Sequence, residues 1–139
     1  MTAAVVDLYA PQRPADALER LVTCSHRYLG TPGWWARLAD GLDELRAHLA
    51  HADTQGLVAQ VIADAPELAA SALRLPDLDD EAQAHAALLR LEVAEKAGRR
   101  SEALQMREAV KTLLGRVRRV ERISDDLLHD AYQRDFGGE

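Results

Sequence analysis

Apolar residues recur along this chain with helical spacing. The clearest track is Met106, Val110, Leu113, Val117, Val120, Ser124, Leu127 and Ala131, in steps of 4, 3, 4, 3, 4, 3 and 4. This unbroken heptad-like seam predicts one long helix, from a Ser101 cap to about Gln133. A second pattern, Trp34, Leu38, Gly41, Leu45, His48 and Ala52, runs beside Trp35, Leu42 and Leu49. Together they predict a broad buried face on a helix that starts at Thr31-Pro32, an N-cap followed by a first-turn proline, and ends near Ala52. Leu18, Leu21, Val22, Tyr28 and Leu29 predict an earlier helix from Pro14 to Gly30. A further long helix is expected after the acidic DLDDE turn, ending at Gly98. Residues 53–76 read as a short helix or as a continuation of the preceding one, punctuated by Pro66 and Pro76. Four long helices with short links predict an all-α, antiparallel up-down four-helix bundle over residues 14–136, with a leader at 1–13 and a tail at 137–139.

Composition supports the helical reading. Ala and Leu number 25 and 21 of the 139 residues, whereas Val, Ile and Thr together number 16, too few for a sandwich or a parallel sheet. The length suits a single domain. A lone cysteine, Cys24, excludes an internal disulfide and any paired-thiolate zinc site. No apolar run reaches the roughly 18–20 residues that span a bilayer. The opening MTAAVVDLYAPQR lacks the basic-then-apolar pattern of a secretory signal, so a cytoplasmic protein without membrane attachment is expected. The net charge of −6 disfavours nucleic acid as a partner.

Candidate chemistry centres on histidine. His26, His48 and His85 fall one each on the first three long helices, His48 within the buried stripe. Inward side chains at similar heights on different helices converge in a bundle, which is how bundle metal sites are built, and neutral imidazole suits iron, zinc or copper. The same spacing also suits partly buried histidines bonded to backbone or water. Glu44 and Glu81 precede His48 and His85 by four residues, placed to orient an imidazole or to stand as surface charges. His51 and His129 read as surface residues. Cys24 reads as packing. Arg116, Arg118, Arg119 and Arg122 read as a solvated face, with Arg122 paired to Asp126, and Trp34-Trp35 reads as packing at the bundle end.

Three segments, LRAHLAHAD at Leu45–Asp53, the histidine of EAQAHAALLRLE, and the C-terminal RRVERISDDLLHDAYQRDFGGE, resemble the hemerythrin-like (HHE cation-binding) domain family, some of whose bacterial branches end in a similar aromatic-Asp-Gly run. Members are four-helix bundles that hold two irons with five histidines and two carboxylates. They bind dioxygen, sense oxygen or iron, or handle peroxide and nitric oxide. Carried over residue by residue, His26, His48 and His85 match three family histidines. The expected helix-2 glutamate falls on Ala52, a further helix-3 histidine on Leu89, the helix-4 histidine on Val120, and its following carboxylate on Ser124 or Asp125. The resemblance therefore implies a divergent bundle without the diiron centre, its ligand positions filled by packing volume, acting as a binding or regulatory module towards a protein or small-molecule partner, with homodimerisation compatible. Its alternative implication is a protein or enzyme holding a single iron or other divalent metal through His26, His48, His85 and Asp125. Whether the chain is an enzyme stays open at this point.

Overall fold

The computed structural model describes residues 13–137, with side chains through Gln133. The expected leader, apart from Arg13, and the last two residues of the tail lie outside this range. In chain order the helices are α1 (Pro14–Val22), α2 (Pro32–His51), α3 (Thr54–Asp64), α4 (Ala69–Ala72), α5 (Leu75–Lys96) and α6 (Ala103–Gly137), with 3₁₀ turns at Pro66–Leu68 and Arg100–Glu102. No strand occurs among the described residues. The chain is an all-α helical bundle.

Local chemistry explains most boundaries, including those that depart from the sequence expectation. The first helix ends at Val22, not at Gly30. Thr23 donates from both its N–H and its hydroxyl to the Glu19 carbonyl, at 3.1 and 2.8 Å. Such a local side-chain bond competes with continuation of the helix. A separate turn follows, in which the Ser25 carbonyl accepts from the N–H groups of Tyr28 and Leu29. It closes on Gly30, whose φ of +77° suits a residue without a Cβ, and an added Cβ would stand 2.9 Å from that of Ala103. Thr31 then caps α2 as expected, its hydroxyl accepting from the Trp34 N–H at 3.2 Å. α5 starts at Leu75, so the DLDDE segment is helical and not a preceding turn. Pro76 is tolerated in the first turn, where Asp77 also favours the helix end. Ser101 lies inside a 3₁₀ turn and does not cap α6. Residues 53–76 resolve into α3, a 3₁₀ turn and the short α4.

α1 packs on α2 and α6, and α5 packs on α2 and α6, so the four close a ring around one core. Within it Leu18, Trp34, Leu38, Leu42, Leu45 and Leu113 are completely buried, each such side chain contributing about 1.5–3 kcal/mol over its exposed state. The indole N–H of Trp34 donates to the Leu21 carbonyl at 2.8 Å, tying α2 to the end of α1. Gly41 allows α1 its close approach: a Cβ there would meet Leu18 Cδ2 at 2.7 Å. A second, smaller cluster joins Val58, Val61, Ala65, Ala72 and Leu75 to Val120, Leu127 and Ala131 of α6. The predicted α6 seam is buried throughout, except that Ser124 is half-buried and bonds back to the Val120 carbonyl at 2.9 Å.

The phase of α6 is tested by neighbouring substitutions. Val117 is fully buried, and Val117→Asp is expected to lower stability by about 3–5 kcal/mol, the cost of an uncompensated buried charge. Arg118 is exposed, with ion pairs to Asp16 at 3.4 Å and Glu19 at 4.0 Å. Arg118→Ala is expected to cost at most about 1 kcal/mol. Denaturant melts of the two variants check the contrast.

Candidate functional site

α2 ends where α3 begins, and this corner sits over the middle of α6. The Asp53 side chain caps α3 by accepting from the Gly56 N–H at 2.8 Å. A Cβ on Gly56 would collide with that carboxylate, so cap and glycine belong together. Between this corner, the first turns of α5 and α6 lies a cleft of about 310 Å³. Leu49, Leu57, Val117 and Val120 give it an apolar wall, and Leu49 and Val117 belong to the main core whereas Val120 belongs to the smaller cluster. The cleft therefore marks the seam between the two clusters.

Its polar lining is dominated by carboxylates: Asp53, Asp79, Glu121 and Asp125, against the single Arg13. Arg13 pairs with Glu121 at 3.6 Å. Asp79 stands apart, because it is only 5% exposed. Its Oδ2 accepts from Gln83 Nε2 at 2.8 Å and from Thr54 Oγ1 at 3.3 Å. Both partners are neutral, and no Lys, Arg or His among the described residues forms an ion pair with Asp79. Burying an ionised carboxylate without a cation costs several kcal/mol. Asp79 is thus an electrostatic debt placed on the wall of a cleft.

The residues singled out from sequence are dispersed. His26 is exposed in the turn after α1, not on a helix. His48 is exposed on the last turn of α2, at the cleft, not in the buried stripe. Inward packing passes to Leu49, and His48 lies about 100° round the helix from it. Asp125 is exposed at the same cleft. His85 lies on α5, half-buried, outside the cleft lining. Pro32, beyond the His26 turn, is 16 residues along α2 from His48, a rise of about 24 Å. Only His48 and Asp125 are brought together. Among the described residues no three His, Cys, Asp or Glu side chains are grouped to hold a metal ion. The residues present therefore do not fit the ligand set carried over from the resemblance, whether for two irons or for one metal. Among the described residues the expected Arg122–Asp126 pair does not form: Asp126 instead lines a cavity of about 270 Å³ with Arg119, and Arg118 is the arginine of that run with ion pairs.

Asp79 was not distinguished in the sequence, where it belonged to the acidic turn. Once α5 begins at Leu75, the positions Leu75, Asp79, Ala82, Ala86, Leu89 and Val93 form a seam in steps of 4, 3, 4, 3 and 4. An acidic residue in such a seam was the available signal.

His85 has a different character. Its Nδ1 is buried with no hydrogen-bond partner. Burial, and then the charge of Arg116, hold its pKa below the usual value of 6.5, with Glu92 opposing. The folded state therefore favours neutral imidazole, and the unfolded chain binds the proton more readily. This contribution to stability is present above pH 6.5 and is lost as pH falls below 6.5 towards the folded-state value. Melting temperatures are expected to fall between pH 7.5 and 5.5, and to fall less in His85→Gln. Following the His85 ring by NMR should show its titration below pH 6.5.

Comparison of the chain with family models, with curated proteins and with solved structures gives no match, so the functional reading rests on the residues and the geometry of the cleft.

Proposed function

We propose that this protein is a binding module whose cleft at the α2–α3 corner takes a small organic cation carrying an apolar portion. The observation that carries this reading is Asp79: a nearly buried carboxylate with neutral partners only, on the wall of a cleft. A ligand ammonium or guanidinium would supply the missing counter-charge, in a setting where charge-assisted hydrogen bonds are strong. Asp53, Glu121 and Asp125 add negative potential at the entrance, and Leu57, Val117 and Val120 offer an apolar wall to the rest of the ligand. A few convergent polar groups over an apolar surface are the usual make-up of a small-molecule site.

In this reading the bundle is antiparallel and up-down, a divergent hemerythrin-like scaffold used without a diiron centre. The kinship rests on the three sequence segments. The cleft assignment rests on Asp79 and does not require the kinship.

Hexylammonium is the simplest probe of the proposed chemistry, with hexanoate and hexanol as controls. Titration of hexylammonium is expected to raise the melting temperature by mass action, whereas the controls leave it unchanged. Asp79→Asn retains an acceptor for Gln83 and Thr54 and removes the charge. It is expected to abolish the hexylammonium shift while keeping or raising the melting temperature of the free protein, since an uncompensated buried charge is gone. Equal shifts with hexanoate, or an unaltered response in Asp79→Asn, would refute the assignment.

A further inference from the structure

The lining of the α2–α3 cleft holds four carboxylates and one guanidinium, so a single bound cation does not balance it. Its acids are answered unequally. Glu121 has Arg13 at 3.6 Å. Asp53 accepts from the Gly56 N–H at 2.8 Å at the head of α3, where the positive end of the helix dipole offsets its charge. Asp79 and Asp125 remain, and neither forms an ion pair within the described residues.

These two acids differ in depth. Asp79 is 5% exposed. Both of its hydrogen bonds, from Gln83 and Thr54, go to Oδ2. Its Oδ1 accepts none from the described residues, yet the fully enclosed unsatisfied atoms among them are Trp35 Nε1 and His85 Nδ1 only. A deep acceptor that is neither satisfied nor sealed, on a side chain lining a cleft, is open to a donor arriving through that cleft. Asp125 is exposed at the rim. The pair stands on α5 and α6, which pack against each other, and packed helix axes lie about 8–10 Å apart. The same cleft offers the apolar side chains of Leu57, Val117 and Val120. A deep acid, an apolar wall and a rim acid match a linear molecule with a positive group at each end and a hydrocarbon middle. An alkyl monocation satisfies Asp79 alone and leaves its methyl end among the rim charges.

We infer that the ligand class of the cleft is a linear α,ω-diamine, with one ammonium on Asp79 Oδ1, the other on Asp125 and the methylene chain along Leu57, Val117 and Val120. An ammonium is a donor only, which suits two acceptor-only carboxylates. This inference rests on the cation reading of the cleft and deepens it, from one charge to two at a set separation.

Calorimetric titration of the full chain with the chloride salts of hexane-1,6-diammonium and hexylammonium tests it, since the two ions differ only in the far ammonium. At low ionic strength the diammonium is expected to bind about tenfold more tightly. Asp125→Asn, at an exposed position, should keep the helical circular dichroism and melt. It is expected to weaken the diammonium more than hexylammonium and bring their ratio down to the level set by the diammonium having two equivalent ends. Glu95→Gln removes an exposed charge at the far end of α5 and is expected to leave the ratio unchanged, which separates a seated second ammonium from general attraction to an acidic protein. If neither ion binds, or if Asp79→Asn leaves both affinities unaltered, the cation reading falls and this inference with it. If hexylammonium binds in an Asp79-dependent way, then equal affinities for the two ions, or a diammonium advantage that survives Asp125→Asn or is lost equally in Glu95→Gln, would overturn the diamine inference alone.

Discussion

The apolar seam of α6 is the constraint on which the rest of the structure depends. A helix of 35 residues extends about 52 Å, whereas the 20 residues of α2 extend about 30 Å. α1, α2 and α5 cover only part of α6, and the remaining stretch around Val120, Leu127 and Ala131 would face water if the chain ran directly from α2 to α5. Instead α3, α4 and the start of α5 fold over it and form the second cluster. The segment from α3 to the start of α5 is thus the covering that the overhang of α6 demands.

The cleft follows from the same mismatch. Where one cluster stops and the next begins, the α2–α3 corner spans α6 without filling the space beneath it. Side chains that complete a core elsewhere are replaced here by Asp79, Thr54 and Ser124, polar groups along the joint between two apolar bodies. Asp79 occupies a core position of α5 geometrically and a site position chemically. Its neutral hydrogen bonds orient the carboxylate and leave its charge unanswered. Retaining such a group where an apolar residue would pack is a cost to stability that a binding role would account for.

The histidines show how a helical pattern misleads at helix ends. His48 continues the stripe of Trp34, Leu38, Gly41 and Leu45 at acceptable spacing, but an α-helix turns slightly more slowly than a seven-residue repeat. By the last turn of α2 the inward position has moved to Leu49, and His48 stands at the edge. His26 was misplaced for another reason: the apolar spacing through Tyr28 and Leu29 continues across a break made by the Thr23 hydrogen bonds to Glu19. With one histidine on a turn and another at a helix edge, the convergence expected of bundle ligands does not arise.

The sequence by itself determined the helical class, the start of α2 at its Thr-Pro cap, the end of α5 to within two residues of Gly98 and the inward phase of α6 along its seam, half-buried Ser124 excepted. These are local properties: propensity, capping chemistry and periodicity act within a few residues of one another. Tertiary structure alone decided which helices became neighbours, where α1 stopped, that the DLDDE acids were helical, and that Asp79 rather than a histidine was the buried polar group of consequence. Burial of a side chain is set by what the rest of the chain lays over it. Asp79 lies on the inward seam of α5, but its hydrogen bond from Thr54, 25 residues away in sequence, is a contact that no local pattern encodes.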